Sequence, residues 1–246
     1  LGPLIHNPLV VSDLERHGVT VADDVEAATA PTVVIRSHGV VPAVVDRARA
    51  RGLQVVDATC PYVKKVQHAA ERLGREGYRV IVVGESGHPE VEGILGHAQG
   101  AAVVGSVADL DHVELGRKVG VVVQTTQSRS LLREVVAELS CRVEDLRVLN
   151  TICEATSERQ AAAAELAERA DVMVVIGGRN SANTTRLAEI CASACANSHH
   201  VERADELDPS WFTDVSLVGI TAGASTPAAQ IELVRRQIEL LCGGDL

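Results

Sequence analysis

Residues 57–93 read DATCPYVKKVQHAAERLGREGYRVIVVGESGHPEVEG, and this stretch decides the fold. From Cys60 a helical pattern over residues 63–75 leads into the apolar run VIVV and a turn at Gly84. Short Val-rich runs that alternate with amphipathic helical patterns are typical of parallel sheets with helices on both faces. The sequence therefore predicts an α/β fold. The predicted strands are residues 32–35, 53–56, 79–83, 102–104, 119–123, 147–149, 172–176 and 216–220.

The same order of features occurs twice along the chain. A cysteine is followed by a helical pattern and an apolar strand, then by a glycine 24 residues and a polar residue 28 residues after the cysteine. The matching residues are Gly84 and His88 after Cys60, and Gly177 and Ser181 after Cys153. Further helices are predicted at residues 131–139, 157–169 and 227–241. The repeat predicts pseudo-symmetric units that bring their cysteines to a shared centre.

The start of the chain reads as the second half of a further unit. His6 stands where His88 and Ser181 stand in the other copies, and a helix is predicted after it, with Asn7 before Pro8 and Gly18 beyond its end. A cysteine at the repeat offset would lie upstream of Leu1, and the only Met is Met173. We therefore expect that the natural protein carries a further N-terminal segment with this cysteine, and that a truncated or mis-started chain is weakly active or inactive.

These units predict the domain organisation. The full expectation is three pseudo-symmetric α/β units with mostly parallel sheets around a central cluster site, the first unit being incomplete. Their predicted limits are residues 1–59, 60–152 and 153–246.

Composition excludes several classes of function. The formal charge is −10 and no basic cluster is present, which argues against nucleic acid or an anionic membrane as partner. Aromatic residues make up 2% of the chain, too few for platforms that stack nucleic-acid bases. No apolar run approaches the roughly 20 residues of a membrane span, and no secretory signal opens the chain. With six sparse cysteines, we expect a cytoplasmic protein with reduced thiols.

Candidate site residues follow strands or begin helices, where parallel α/β units gather ligands. Cys60, Cys153 and the expected upstream cysteine would form a three-thiolate site, which suits an iron–sulfur cluster with one open iron. Neutral hydrogen-bond donors at helix N-termini bind phosphate without Lys or Arg. Glu90, two residues beyond His88, is a carboxylate placed to move a proton. By spacing alone either Glu90 or Glu92 could be a solvated first-turn carboxylate that complements the helix dipole, and spacing does not choose between them. The neutral candidates are His6, His38, His88, Thr125, Ser181, Asn183 and Ser225.

Simpler interpretations stay open for each motif. Free cysteines are often packed as small apolar residues, and a histidine at a helix start often caps the helix. The segments TAGAS and GGRNSAN are also typical of glycine turns that cap helices. Four cysteines are interpreted as structural, and a second metal site among them lacks further ligands. They are Cys141, Cys191, Cys195 and Cys242.

Eight motifs in family order resemble the LytB-type 4-hydroxy-3-methylbut-2-enyl diphosphate reductases. They are GPLIHN, RSHGV, DATCP, GHPEVEG, QTTQS, TICEATSERQ, NSANTTRL and TAGAS. The resemblance implies three α/β domains around a 4Fe-4S cluster, with Cys60 and Cys153 as two of its three cysteine ligands. It also implies an enzyme that removes the allylic hydroxyl of its substrate, held at the fourth iron. Electrons would come from ferredoxin or flavodoxin, and the products would be isopentenyl and dimethylallyl diphosphate.

The resemblance also assigns roles to side chains. Glu90 matches the proton donor, and Thr125 lies near the hydroxyl end of the substrate. Ala182 stands where the family often has a serine, so one substrate-binding hydroxyl is lost. The residues that match the diphosphate site are His6, His38, His88, Ser181, Asn183 and Ser225. The alternative is a degenerate diphosphate-binding paralogue without a functional cluster, although such a protein would need neither the cysteines nor Glu90.

Overall fold

The computed structural model describes residues 1–243, and helices alternate with strands along them. The helices are α1 (Pro8–Arg16), α2 (Pro42–Ala50), α3 (Pro61–Arg75), α4 (Pro89–Leu95), α5 (Arg129–Arg142), α6 (Glu154–Ala167), α7 (Ala182–Ala194) and α8 (Ala228–Leu241). The strands are β1 (Thr32–Ile35), β2 (Gln54–Asp57), β3 (Arg79–Val83), β4 (Ala102–Val104), β5 (Lys118–Val123), β6 (Asp145–Val148), β7 (Val172–Ile176), β8 (Ser198–Val201) and β9 (Val218–Ala222).

The strands form three parallel sheets. Their orders are β1-β2, β4-β3-β5-β6 and β8-β7-β9, and every pair among the described residues is parallel. The central strands β3 and β7 are almost wholly buried, as strands covered on both faces must be. The predicted α/β class with parallel sheets is confirmed.

One strand was not predicted from the sequence. β8 reads SHHV, and only Val201 in it is buried. It lies at the edge of its sheet and pairs with β7 along one side only. Its polar side chains therefore remain partly exposed, and its sequence lacks the apolar pattern from which a strand is predicted. The other strands lie within two residues of their predicted ends.

The first compact unit comprises Leu1–Ile5 and Val19–Cys153. In it, α3 packs Val66, Ala70 and Leu73 against one face of the β3–β5 pair. The opposite face receives Val135 and Leu139 of α5. The buried sheet thereby fixes the carboxyl ends of β3 and β5, and the residues of the candidate site follow these ends.

The second compact unit comprises His6–Gly18 and Glu154–Leu246. It joins α1 to the sheet formed by the C-terminal strands. Asn7 caps α1 by accepting from the backbone N–H groups of Leu9 and Val10, and its Nδ2 donates to the carbonyl of Ser225, 3.0 Å away. The helix predicted after His6 is therefore present, with Pro8 at its start. The division into three units stays a prediction.

A membrane-spanning helix is not found among residues 1–243, because none of their helices combines sufficient length with sufficient apolar character.

Candidate active site

Both repeat cysteines are anchored by the same backbone hydrogen bond. The Cys60 N–H donates to the carbonyl of Ser37 at 2.9 Å, and the Cys153 N–H donates to the carbonyl of Thr125 at 3.0 Å. Ser37 is the second residue beyond the end of β1, and Thr125 is the second beyond the end of β5. The two cysteines therefore share one kind of backbone anchor, two residues beyond a strand, within the first unit.

The two cysteines differ from the others in their surroundings. Cys60 is the N-cap of α3 and Cys153 directly precedes α6, and both are free and partly exposed. Cys191 and Cys195 lie in an apolar cluster, and burial, followed by the nearby Cys195, raises the pKa of Cys191 to about 11. Helix N-termini attract negative charge, so both cysteines stand where an anionic group would be favoured.

The chemistry of this donor set fits an iron–sulfur group. Thiolates are the preferred ligands of such clusters, and Cys60 and Cys153 are free cysteines that are partly exposed. Cys141 and Cys242 are also free, but they lie exposed toward the C-terminal ends of α5 and α8, away from strand ends. Cys60 and Cys153 are therefore the cysteines that could hold the group.

Glu90 is a buried carboxylic acid with both oxygens bound by one residue. The backbone N–H of Thr125 donates to Oε1 at 2.6 Å, and its Oγ1 donates to Oε2 at 2.8 Å. Glu90 is only 2% exposed. Because the Thr125 carbonyl accepts from Cys153, this threonine joins the acid to the backbone of a repeat cysteine.

The environment of Glu90 makes it able to hold a proton near neutral pH. Burial raises its pKa to about 7, the two hydrogen bonds from Thr125 partly oppose this, and the charge of Glu85 adds to it. Glu92, which spacing alone left as an equal candidate, is exposed. The structure therefore distinguishes the two acids by their burial.

Two predicted histidines of the first unit meet edge to face. The ring centroids of His38 and His88 are 5.6 Å apart, with an angle of 79° between the planes. His88 is the N-cap of α4 and its Nδ1 accepts from the Glu90 N–H at 3.1 Å. His88 is thus a helix cap, as one interpretation held, and it stands two residues before the buried acid.

The second unit gathers polar side chains that are buried without hydrogen bonds. Asn183 is 6% exposed, and neither its Oδ1 nor its Nδ2 has a partner among the described residues. The same is true of the Ser225 Oγ. Ser181 is the buried N-cap of α7, yet its side chain makes no capping bond. Unsatisfied buried polar groups are costly, and a ligand rich in acceptors and donors would satisfy them.

His6 and Ala182 belong to the same unit. A Cβ at Gly178 would lie 2.6 Å from the His6 carbonyl oxygen, so only glycine lets the chain pass so close to His6. Ala182 is the first residue of α7, between Ser181 and Asn183. A serine there would add a hydroxyl beside these buried donors.

Two buried polar residues beside these candidates were not predicted from the sequence. Gln124 is fully buried, its Oε1 accepts from the Glu85 N–H, and its Nε2 donates to Thr126 Oγ1. Thr184 is fully buried, and its Oγ1 has no partner among residues 1–243. Both stand at a strand end or helix start, the positional signal that could have identified them.

A buried acid with a pKa near neutral lies beside the backbone of a free cysteine, at the strand ends of a parallel sheet, and this arrangement marks the candidate active site of an α/β enzyme. The model of the family described as LytB protein matches residues 1–239. The chain belongs to the LytB protein family, whose curated relatives are reductases.

Relatives with curated names resemble nearly the whole chain. A 4-hydroxy-3-methylbut-2-enyl diphosphate reductase from Geobacter sulfurreducens is 51% identical over 240 residues, covering 97% of this chain and 85% of that relative. One of the same name from Aquifex aeolicus is 46% identical over 250 residues, covering 100% of this chain and 86% of the relative.

Solved structures agree with this resemblance. A structure of (E)-4-hydroxy-3-methyl-but-2-enyl diphosphate reductase, described as the terminal enzyme of the non-mevalonate pathway, matches with a TM-score of 0.70 and 45% identity, covering 98% of this chain and 87% of that one. The E-1-hydroxy-2-methyl-but-2-enyl-4-diphosphate reductase from Plasmodium falciparum matches with a TM-score of 0.91 and 25% identity, covering 97% and 77%.

Proposed function

We propose that this protein is an iron–sulfur reductase that converts 4-hydroxy-3-methylbut-2-enyl diphosphate to isopentenyl and dimethylallyl diphosphate. The reaction breaks the allylic C–O bond, takes up an electron pair, and uses one proton to release water and one to form a C–H bond. The names of relatives about 50% identical support the substrate. The single observation that carries the chemistry is the buried Glu90, held by Thr125 with a pKa of about 7.

Cys60 and Cys153 are the residues proposed to hold the 4Fe-4S cluster. When bound, the cluster supplies electrons and an open iron for the allylic hydroxyl. The two cysteines contribute anionic sulfur at helix N-termini, where the helix dipole stabilises negative charge. Their backbone anchors to Ser37 and Thr125 hold the sulfur-bearing segments in place. We propose ferredoxin or flavodoxin as the protein that delivers the electrons.

Glu90 is the proposed proton donor. A carboxylic acid with a pKa near 7 is protonated in part of the molecules at neutral pH, so it can give up a proton and regain it. Thr125 orients both carboxyl oxygens and contributes the hydroxyl proposed to lie near the substrate hydroxyl. The burial that raises the pKa of Glu90 also keeps bulk water from the proton.

Neutral donors are proposed to bind the diphosphate. Hydrogen bonds from imidazole, hydroxyl and amide groups, together with helix N-termini, can hold phosphate oxygens without Lys or Arg. In the second unit the unsatisfied amide of Asn183 and hydroxyl of Ser225 support this role. The proposed diphosphate-binding residues are His6, His38, His88, Ser181, Asn183 and Ser225.

Glu90→Gln tests the proton donor. We expect turnover of 4-hydroxy-3-methylbut-2-enyl diphosphate to fall by roughly 10²–10⁴-fold, because the amide cannot transfer the proton. The iron content of the protein should stay unchanged. Glu92→Gln is the matched control on the same helix and should retain activity, since Glu92 is exposed. Equal turnover of both variants, assayed anaerobically with a chemical reductant, would contradict the assignment.

Cys60→Ser and Cys153→Ser test the cluster. Anaerobic reconstitution with iron and sulfide should give visible charge-transfer absorption in the parent protein and much less iron in either variant. Cys141→Ser, at an exposed free cysteine, is the control. A colourless parent that binds the diphosphate but no iron would favour the degenerate paralogue instead.

A further inference from the structure

A glutamine recurs at the same place in both copies of the repeat. Gln67 follows Cys60 by seven residues, and Gln160 follows Cys153 by seven. Both lie on the helix that begins at the cysteine, and both are buried, with exposures of 6% and 8%. Burying a side-chain amide costs free energy unless its polar atoms are used. The same helix position is therefore both polar and buried in the two copies.

In the first unit, Gln67 lies where α4 meets the turn that carries His38. A Cβ at Gly39, which has φ +73°, would lie 2.6 Å from Gln67 Nε2. A Cβ at Gly93 in α4 would lie 3.2 Å from the same nitrogen and 3.4 Å from the His38 carbonyl oxygen. Both glycines are buried. The absence of side chains at Gly39 and Gly93 thus lets the amide reach the backbone on both sides.

The amide donor is unused by the described residues. Gln67 Nε2 is buried and has no hydrogen-bond partner among residues 1–243. The peptide that it adjoins belongs to the turn over residues 36–39, closed by the Gly39 N–H on the Arg36 carbonyl at 3.0 Å. This turn also accepts the Cys60 N–H through Ser37. Gln67 of α3 and Cys60, the N-cap of this helix, therefore both lie against the turn.

We propose that Gln67 is a positioning residue for His38: its side-chain amide sets the position of the His38–Gly39 peptide against α4. Because α4 also carries Glu90 and begins at His88, this contact sets the distance of the His38 ring from both. The inference rests on the proposed role of His38 in binding the diphosphate. Gln67 itself acts through the backbone and not on the substrate.

Gln67→Met removes the amide and keeps a flexible side chain of similar length. We expect inorganic diphosphate to bind the anaerobically purified protein roughly three- to tenfold more weakly by calorimetry, because a displaced His38 would weaken the one hydrogen bond that it is proposed to give to the ligand. The imidazole ¹⁵N resonances of His38, assigned with His38→Gln, should shift as well. A merely structural role would lower stability and leave the affinity and resonances of the folded fraction unchanged.

Gly93→Ala keeps the Gln67 amide but places a methyl group 3.2 Å from its nitrogen. Because alanine favours the helix more than glycine does, we expect this variant to fold and its His38 resonances to shift. Gly74→Ala on α3 is the control, because nothing lies within 4 Å of its Cβ. Unchanged His38 resonances in Gln67→Met overturn the proposal, and Gly93→Ala decides where Gln67→Met does not fold. A parent protein that binds no diphosphate refutes the binding role of His38, while the resonances still test the positioning.

Discussion

At the scale of single residues, Glu90 links catalysis to stability. Its pKa is raised from 4.5 to about 7 in the folded protein, so between these pH values the folded state binds more protons than the unfolded state. The stability of the fold therefore falls as pH rises through this window, and the penalty is complete above about pH 7. The acid is useful because burial makes its charged form unfavourable.

Glu90→Gln should remove this penalty. We expect the variant to be more stable than the parent at pH 8, by as much as about 3 kcal/mol for a shift of this size. The difference should shrink as pH falls toward 4.5, where the parent acid is protonated in both states. Urea denaturation at both pH values measures it, with Glu92→Gln as control. A difference independent of pH would show that the carboxyl is not desolvated.

At the scale of elements, the site depends on how closely α3 packs on the sheet. Gly120 of β5 faces Leu73 of α3, and a Cβ at Gly120 would lie 2.9 Å from both Leu73 methyl groups. Leu73 is fully buried and has little room to move. The helix that begins at Cys60 is therefore held at a fixed depth over the strand that leads to Thr125.

Gly120→Ala should overpack this contact. We expect a loss of about 1–3 kcal/mol in the free energy of unfolding, measured by thermal or urea denaturation. Gly74→Ala on the opposite, open side of α3 should instead keep or raise stability by up to about 1 kcal/mol. If Gly120→Ala is as stable as the parent, the depth of α3 is not set by this glycine.

At the scale of the whole molecule, this acidic protein is proposed to bind a negatively charged diphosphate. The formal charge is −10, so long-range attraction cannot supply the affinity. Local donors must do so, and the unsatisfied Asn183 and Ser225 side chains are available for it. Affinity that depends on short hydrogen bonds should respond more to loss of one donor than to a change of surface charge.

Inorganic diphosphate should therefore stabilise the folded protein. At a concentration a hundredfold above Kd, ligand binding contributes about 2.7 kcal/mol, which raises Tm by several degrees. Asn183→Ala should reduce this shift, because the ligand then loses the two polar atoms of the Asn183 amide as partners. Asn180→Ala is the neighbouring control, since Asn180 is exposed. An undiminished shift in Asn183→Ala would remove this residue from the proposed site.

Much of the candidate site could be predicted because its reactive and polar residues stand directly after predicted strands or at predicted helix starts. Residues that follow a strand lie at its carboxyl end whatever the later packing, which is why Cys60 and Cys153 were recognised as equivalents from spacing alone. Gln67 and Gln124 were not predicted because no pattern in the sequence distinguishes a buried glutamine from an exposed one. Their importance arises from the glycines that contact them, which are far away in sequence.

The sequence by itself determined the α/β class, the repeated unit and the positions of its cysteines, because apolar periodicity and residue spacing are local properties. The tertiary structure alone decided that Glu90, and not Glu92, is the buried acid. It also decided that Thr125 holds both oxygens of that acid and that α1 joins the C-terminal sheet. Burial and contact depend on which distant segments pack together, and no local pattern encodes that.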